Sequence, residues 1–477
     1  MNLLFILSDQ HSKEKVGCYG NTHIKTPNID RLAANGVRFA NAYTNCPICV
    51  PARASLATGR YVHQLALWDN ASPYSGEAPS WGHRLIDSGL KVTTIGKLHY
   101  RYPEDDTGFP DQRNPLHVRD GIGDLFGSIR EIDALKPGLG KSVQEARAGD
   151  SSYIAFDRQV TREACDFLKK ESSRDGDPWA LQLGFVLPHF PFISPAEYWD
   201  LYDEESLPLP KQYERTKRSE HPSCRDLRRY MGIEDELPPE VLRKAVHAYY
   251  GMCSFVDDQI GKVLQALAEA GLEDTTRVIY ASDHGEMLGD HGLWYKNCMY
   301  EGAVGIPLLA AGPDLPKNEV VEVPVSLVDL YPTILDAVGV NLSAEDENLP
   351  GRSLLPLARG ETTVNRVAFS EFHASGSLTG GFMLRRGQYK YVYYVGYPPQ
   401  LFDLDSDPDE LNDIAADRAH QALVAELDRE LRQVVIPEEV DARAKADQTK
   451  LLAGYGGRQH IKESFKPVIF SPVGNSK

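Results

Sequence analysis

Two overlapping cysteine motifs lie in the stretch TNCPICVPARASLATGR, residues 44–60. Cys46 and Cys49 form a C-x-x-C pair, a spacing found in redox dithiols and in one half of many zinc sites. From Cys49 onward the same letters also spell C-x-P-x-R, which ends at Arg53. The first motif predicts that Cys49 acts as a thiol, and the residues that the rest of the chain places around it decide between the two motifs.

Polar residues suited to metal or anion chemistry follow four apolar runs that we interpret as strands. In an open α/β sheet, ligands collect beyond the carboxyl ends of the strands, so these residues predict one shared site. A single aspartate at a strand end is more often a helix cap or a turn residue. The four sets are Asp9 and Gln10, Lys97 and His99, His189, and Asp283 and His284.

Asp9, Asp283 and His284 have the character of metal ligands. Two carboxylates and one imidazole, with a carbonyl oxygen that Gln10 could add, suit Ca²⁺, Mn²⁺ or Mg²⁺ better than a metal that prefers thiolates. The alternative, in which each residue caps a loop, explains any one of them but not the set. The sequence therefore predicts one divalent cation.

Lys97 and His99 are two residues apart, so on extended backbone they face the same side of a strand. A cation beside an imidazole fits the binding of an anionic group and the transfer of a proton, although a structural pair on a solvated strand edge is the better explanation of these two residues taken alone. Lys296 follows Asp283 by thirteen residues, close enough for a returning loop to bring it to the site. Asn70 could contact a substrate oxygen or be a plain turn residue.

The elements that must position these residues alternate along the first two-thirds of the chain. Short apolar runs alternate with helical patterns, which predicts an α/β fold with a mostly parallel sheet flanked by helices. A long helix is expected over residues 239–270. Beyond residue 360 the pattern indicates antiparallel strands with tight turns and a helix near 421–434.

We therefore predict a catalytic domain over residues 1–360 and a smaller antiparallel α+β subdomain over 361–437. Residues 438–477 are polar with a short apolar patch. They could form an arm that packs on a second copy of the chain, which would make the protein a homo-oligomer, or a flexible tail.

The composition of the chain limits the classes of partner that it can bind. The 477 residues carry a formal charge of −17, which disfavours nucleic acid and anionic membranes as partners. A small anionic substrate remains compatible with this charge if positive groups are concentrated in one cleft. The seven cysteines are scattered and odd in number, which is not typical of a disulfide framework.

The amino terminus, MNLLFILSDQ, has no basic region and no small-residue cleavage site, so we do not interpret it as a signal peptide. No window reaches the roughly 18 apolar residues of a membrane span. The sequence as given predicts a cytoplasmic protein without a membrane partner.

Taken together, these motifs resemble the type I sulfatases of the alkaline-phosphatase superfamily. CVPARASLATGR resembles their formylglycine signature, and the similarity covers most of residues 1–415. It runs through LLFILSDQ, TPNIDRLAANGVRFANAY, GKLHY, SDHGEMLGDHGLWYK, IPLLAAGP, VSLVDLYPTILDAVGV and LFDLDSDPDE. Gln10, the DHG stretch and Asn70 are most similar to the branch of choline sulfatases, phosphonate monoester hydrolases and certain bacterial arylsulfatases. Many other sulfatases have a second aspartate at position 10, so a four-carboxylate calcium site is not implied.

The resemblance implies an alkaline-phosphatase-like fold and a modified Cys49. A formylglycine-generating maturation enzyme would read Pro51 and Arg53 and oxidise Cys49 to an aldehyde, which becomes a gem-diol in water. Arg53 is expected to begin a helix whose amino end favours negative charge. Cys46 lies outside the signature and is expected to be an ordinary buried cysteine. A redox dithiol would be typical of a much smaller βαβ context.

The resemblance also implies roles for the site residues. Asp9, Gln10, Asp283, His284 and residue 49 would hold the cation. Charge on the substrate would be balanced by Lys97, Lys296, Asn70 and His189, with His189 and Lys296 nearest the leaving group. His99 would take the proton from the second hydroxyl of the diol, which regenerates the aldehyde.

The first expectation is therefore hydrolysis of a small anionic sulfate ester. A phosphonate monoester or phosphodiester hydrolase is the alternative from the same scaffold. A catalytically silent binding protein and a redox protein are alternatives from other classes. The alcohol portion of the substrate depends on loops such as 101–143 and 202–236, which carry no motif that identifies it.

Overall fold

The computed structural model describes residues 1–131, 139–171, 176–362 and 365–468, together with Ser471 and Val473. Within these residues the strands are β1 Asn2–Ser8, β2 Gly36–Phe39, β3 Ala42–Tyr43, β4 Lys91–Lys97, β5 Asp111–Leu116, β6 Arg147–Ala148, β7 Trp179–Gly184, β8 Ile193–Ser194, β9 Thr276–Ser282, β10 Leu308–Ala311, β11 Glu319–Val321, β12 Val325–Ser326, β13 Val367–Phe372, β14 Gly381–Arg386, β15 Tyr389–Tyr394 and β16 Gln400–Asp403. The helices are α1 Pro27–Ala34, α2 Cys49–Thr58, α3 Val62–Leu65, α4 Trp81–Asp87, α5 Leu139–Gln144, α6 Ser152–Glu171, α7 Ala196–Trp199, α8 Pro222–Met231, α9 Pro239–Glu269, α10 Glu301–Val304, α11 Leu330–Ala337, α12 Leu355–Ala358, α13 Gln421–Val434, α14 Pro437–Gly454 and α15 Gly457–Ser464.

The main sheet has eight strands in the order β11-β2-β10-β9-β1-β7-β4-β5. Its central strands β9, β1, β7 and β4 are mutually parallel, and β10 is antiparallel to both of its neighbours. Parallel strands end at the same edge of a sheet, so the residues that follow these four strands come together. The predicted α/β fold with a mostly parallel sheet is confirmed.

Strand β1 shows why the sheet forms at this place in the sequence. Its apolar run is buried on both faces, as expected for a central strand covered by helices. Leu4 and Ile6 pack into the core on the side of α6 and α9, whereas Leu3 and Phe5 pack into the core on the side of α11. Successive side chains point to opposite faces, so one continuous apolar run supplies two hydrophobic cores.

A second sheet, β13-β14-β15-β16, is antiparallel throughout and packs with α13 around its own apolar core. This confirms the antiparallel strands and the helix expected beyond residue 360. The boundaries at residues 360 and 437, and the homo-oligomer, stay predictions. In this chain α14 contacts the catalytic region, because the indole nitrogen of Trp68 donates to Asp447 at 2.9 Å.

Each of the seven cysteines lies within the described residues and is a free thiol. Among the helices described, none combines the length and the apolar character that crossing a membrane requires.

Candidate active site

The ends of the four parallel strands meet at a cleft with roughly 740 Å³ of empty space, part of it open to solvent. The structure brings together the residues that the sequence places after these strands. Cys49, Asn70, Lys97, His99, His189 and Lys296 line the cleft. Asp9, Gln10, Asp283 and His284 are fully buried beside it.

Helix α2 carries Cys49 into the cleft. The resemblance implies that this helix begins at Arg53, but it begins at Cys49, one turn earlier. Ile48 is the extended N-cap residue, and the amide of Ala52 closes the first turn by donating to its carbonyl at 3.1 Å. Pro51 fits within this turn because the first amides of a helix have no intrahelical partner. Residue 49 therefore lies at the amino end itself, where the helix dipole favours negative charge.

Four ligand-type side chains converge on one point. One such atom from each of Asp9, Cys49, Asp283 and His284 lies within 4.8 Å of the others. The sulfur of Cys49 is 3.2 Å from Nε2 of His284 and 3.8 Å from Oδ1 of Asp9. Two carboxylates and an imidazole suit a hard divalent cation, so the residues present fit the metal that the sequence predicts.

Arg53 holds the two carboxylates in place from behind. Its Nε donates to Asp283 at 2.7 Å, one terminal nitrogen to Asp9 at 3.3 Å and the other to the carbonyl of Lys97 at 2.9 Å. The side chain is 1% exposed. Burial opposes the charge of Arg53, but Asp283 and Asp9 outweigh it and raise its pKa. Arg53 is therefore a charged residue whose hydrogen bonds to both carboxylates fix the geometry of the cluster.

Lys97 and His99 both reach the cleft, but extended backbone is not the reason. Strand β4 is irregular between Ile95 and Lys97, and His99 has a φ of 66° in the left-handed region. Such strained backbone is concentrated at functional sites. The ammonium group of Lys97 donates to Asp9. Burial, with Lys97 second, holds the pKa of His99 well below its ordinary value, so its imidazole is neutral.

Lys296 lies between two uncharged side chains. It donates to Oε1 of Gln10 and, at 2.9 Å, to Nε2 of His189. The Nδ1–H of His189 donates to the Phe190 carbonyl at 2.7 Å, which leaves Nε2 as the acceptor. Burial and then Lys296 lower the pKa of His189, in agreement with a neutral ring.

Glu286 is a site residue that the sequence analysis missed. Nε2 of Gln10 donates to Glu286, which also accepts from the amides of Leu288 at 2.8 Å and Tyr295 at 2.6 Å. Glu286 therefore orients the amide of Gln10, so that its oxygen faces Lys296. Its place inside SDHGEMLGDHG was the one available signal. The prediction that Gln10 is a metal ligand stays a prediction.

The field of the cleft favours negative charge at residue 49. Burial and Asp9 oppose ionisation of the Cys49 thiol, but Lys296, His284 and Lys97 outweigh them and lower its pKa. Burial raises the pKa of Cys46 well above its ordinary value, and its side chain packs in the apolar core of the C-terminal sheet. Two cysteines three residues apart thus have opposite environments, as expected if only Cys49 belongs to the site.

Asn70 connects the cleft to α2, and its neighbour Asp69 connects the same segment to the carboxyl-terminal helix α14. Its Oδ1 accepts from the amide of Val50 at 3.2 Å. The neighbouring Asp69 is buried and accepts from Ser128 and Gln448, each at 2.8 Å. No sequence pattern predicts this support, because Gln448 lies 379 residues from Asp69.

Both predicted specificity loops contribute to the walls of the cleft. Residues 132–138 of the first loop lie outside the described residues. The first loop supplies Val118, Arg119, Gly123, Asp124 and Leu139, and the second supplies Tyr230 and Met231.

Comparison with known proteins agrees with this geometry. The family model described as Sulfatase matches residues 1–340, and one described as N-sulphoglucosamine sulphohydrolase, C-terminal, matches residues 289–436. The chain is 30% identical over 429 residues to a choline-sulfatase of Rhizobium meliloti (strain 1021), covering 87% of this chain and 82% of that protein. It is 32% identical over 467 residues to arylsulfatase K of Bos taurus, covering 92% and 83%.

Solved structures share the fold. The phosphonate monoester hydrolase of Agrobacterium radiobacter matches with a TM-score of 0.72 and 25% identity, covering 91% of this chain and 95% of that one. A putative sulfatase from Bacteroides thetaiotaomicron VPI-5482 matches with a TM-score of 0.73 and 24% identity, covering 93% and 94%.

Proposed function

The chain belongs to the sulfatase family and is a sulfuric ester hydrolase, and on this premise we propose that its reaction centre is a formylglycine formed from Cys49 with one divalent cation. The observation that carries the proposal is the position of Cys49, at the amino end of α2 and 3.2 Å from His284. When in place, the hydrated aldehyde supplies the nucleophile, and the cation lowers the pKa of its hydroxyl.

The residues that would hold the cation are Asp9, Gln10, Asp283 and His284, with residue 49. Oxygen ligands and a single imidazole favour Ca²⁺, and Mn²⁺ or Mg²⁺ is compatible with the same set. Arg53 keeps Asp9 and Asp283 at a fixed separation through its hydrogen bonds to both. A formylglycine-generating enzyme that recognises the C-x-P-x-R run is the implied maturation partner.

The chain binds the substrate anion with fixed positive groups. Lys97 and Lys296 line the cleft and would contact the sulfate oxygens, with Asn70 as a neutral donor. Because these groups are already in place, little reorganisation is needed when charge moves during the reaction. Lys296 is positioned by Gln10 and His189, which supports a role in donating a proton to the leaving alkoxide. His99 would accept the proton whose removal restores the starting state of residue 49.

A phosphonate monoester or phosphodiester is the second candidate substrate. The similarity to the phosphonate monoester hydrolase of Agrobacterium radiobacter favours it, since the fold match spans 91% of this chain. A sulfate monoester and a phosphonate monoester each carry one negative charge on a tetrahedral group. The cleft therefore suits both ester groups. The residues that line its walls determine which alcohol portion the enzyme accepts.

The peptide from Phe39 to Arg53 tests the modification because it carries both Cys46 and Cys49. After treatment with iodoacetamide and digestion with trypsin, we expect one alkylated cysteine, Cys46, and a deficit of about 18 Da at residue 49. Two alkylated thiols in fully active enzyme would refute the proposal. The ratio of kcat/KM for an aryl sulfate to that for an aryl phosphonate monoester then decides between the ester classes. A panel of small sulfate esters, choline sulfate included, would identify the alcohol.

A further inference from the structure

Residues near the carboxyl terminus take part in the cleft. Val468 and Ser471 line it together with His99 and Lys97, although they lie more than 360 positions further along the chain. Ser471 is 6% exposed, and Val473 packs against the main core. These described residues are therefore seated within the molecule, at the side of the cleft that His99 occupies.

Three hydrogen bonds anchor this region to three different parts of the catalytic domain. The amide of Val468 donates to the buried carboxylate of Asp124 at 3.2 Å. The hydroxyl of Tyr153, in α6, donates to the carbonyl of Ser471 at 2.9 Å. The hydroxyl of Ser471 lies 2.6 Å from Nε2 of His99. Backbone and side chain of Ser471 are thus both fixed.

The contact with Ser471 gives the two nitrogens of the His99 ring different environments. Nε2 has Ser471 as its partner, whereas Nδ1 is buried and has no hydrogen-bond partner among the described residues. A neutral imidazole carries a proton on one nitrogen and a lone pair on the other. A proton on Nδ1 would be a buried donor without an acceptor among the described residues, which costs free energy. The favoured tautomer is therefore the one in which Nε2–H donates to the Ser471 hydroxyl and Nδ1 keeps a lone pair that can accept a proton.

We propose that Ser471 is a positioning residue for His99, and that its hydroxyl selects the tautomer in which Nδ1 is the proton acceptor. This inference rests on the proposed hydrolase function, in which His99 takes a proton from residue 49. Nδ1 gains that proton and releases it to water that enters the cleft after the sulfate has left, while Nε2–H remains bonded to Ser471. Without the hydroxyl, either nitrogen can hold the proton and the ring can rotate, so only part of the enzyme is competent.

Ser471→Ala and Ser471→Thr in the full-length, matured enzyme test this role. We expect Ser471→Ala to lower kcat for an aryl sulfate by about 10-fold, part of the contribution of a general base, with KM changed less than about 2-fold. Ser471→Thr keeps the hydroxyl and should remain within about 3-fold of the unaltered enzyme. Ser464→Ala, an exposed serine at the end of α15, is the matched control and should leave kcat unchanged.

Tyr153→Phe provides a second, independent variant. It keeps both His99 and Ser471 but removes the donor to the Ser471 carbonyl, so we expect a smaller fall in kcat in the same direction. The proposal is overturned if Ser471→Ala loses activity and Ser471→Thr, which keeps the hydroxyl, loses it as well. The size of the side chain, rather than its hydroxyl, would then determine activity.

The tautomer itself can be observed without turnover. In protein labelled with ¹⁵N-histidine, the signals that disappear in His99→Gln assign His99 among the fourteen histidines. We expect a neutral ring protonated at Nε2, and a mixture of tautomers in Ser471→Ala. Identical His99 signals and identical kcat in the two proteins would refute the inference. Failure of the unaltered enzyme on every sulfate and phosphonate ester would instead refute the proposed function, while the signals still decide the His99–Ser471 bond.

Discussion

Two buried lysines show how the cleft differs from the junction between the main sheet and the C-terminal sheet. Lys390, at the junction, is fully buried and contacts the carboxylates of Glu301 at 3.1 Å and Glu410 at 2.5 Å. Lys296, in the cleft, is 6% exposed, and its described hydrogen bonds go to the uncharged Gln10 and His189.

The difference lies in what completes each environment. At the junction, Lys13 also donates to Glu301 at 2.6 Å, so two ammonium groups face two carboxylates within the protein. A buried charge is tolerated when it is paired and hydrogen-bonded. In the cleft, the described residues include no carboxylate paired with Lys296, and under the proposed function the substrate anion supplies the opposite charge. A buried charge that is paired within the protein therefore does not indicate a functional site. A buried charge without a counter-ion does.

Replacing the reacting group should produce the largest effect. We expect Cys49→Ser to lower steady-state turnover of an aryl sulfate by at least about 10⁴-fold, because a serine can be sulfated but cannot eliminate the sulfate. Release of product measured against enzyme concentration should stop at or below one equivalent. Cys46→Ala, which removes a buried sulfur outside the signature, should retain activity and cost only about 1 kcal/mol of stability.

If Cys46→Ala abolishes turnover while residue 49 remains an aldehyde, the dithiol interpretation regains support. Continued multiple turnover in Cys49→Ser would contradict the proposed reaction centre.

Removing the cation should have the next largest effect. Asp283 supplies a carboxylate to the cluster and accepts from Arg53, so Asp283→Asn should lower kcat/KM by about 10³-fold. Dialysis against a chelator should inactivate the unaltered enzyme, and Ca²⁺, Mn²⁺ or Mg²⁺ should restore it. At 100 times its dissociation constant, the cation should also stabilise the fold by about 2.7 kcal/mol.

Thermal unfolding with and without the cation checks this independently of activity. The shift should vanish in Asp283→Asn and persist in Lys390→Met, which alters the junction alone. An equal shift in Asp283→Asn would show that the cation binds elsewhere.

The two lysines can then be compared directly. Lys296→Met should lower kcat/KM by about 10²-fold, since one fixed positive group facing the substrate is lost. It should change stability by less than about 1 kcal/mol, because no described carboxylate loses its partner. Lys390→Met should do the opposite, costing about 3–5 kcal/mol by leaving Glu410 without its ammonium partner and Glu301 with Lys13 alone, while the folded fraction stays active.

Urea unfolding and kcat/KM on the same two preparations decide the comparison. The proposed difference between the two lysines is contradicted if Lys296→Met is the less stable protein, or if Lys390→Met folds normally but loses catalytic activity.

The sequence predicts the parts of this molecule that depend on local pattern. Apolar runs ending in polar residues located the strand ends, including Asp9 and Asp283, because a buried strand and the residue after it are adjacent in the chain. The pairs Ser471–His99 and Gln448–Asp69 could not be predicted, since single hydrogen bonds between distant segments leave no periodicity. The start of α2 was misplaced because Pro51 is accommodated within the first turn.

The smallest expected effect on catalysis concerns another buried group whose partners are all internal. Glu371, in β13, accepts from Nδ1 of His63 at 2.8 Å and from Nε2 of His373 at 2.9 Å. Burial would raise the pKa of this carboxyl, but His63 and His373 outweigh it and lower the pKa to about 2, from an ordinary value of 4.5. The folded state therefore binds fewer protons than the unfolded state between these values.

Glu371 should thus stabilise the fold fully above pH 4.5, and this contribution should disappear as the pH falls towards 2. By linkage the loss is at most about 3 kcal/mol. Urea unfolding between pH 6 and pH 3 would measure it, and Glu371→Gln should flatten the slope without changing kcat/KM at neutral pH. An unchanged slope would mean that the histidines do not stabilise the carboxylate, and a fall in catalysis would mean that this network, unlike the junction, is coupled to the cleft.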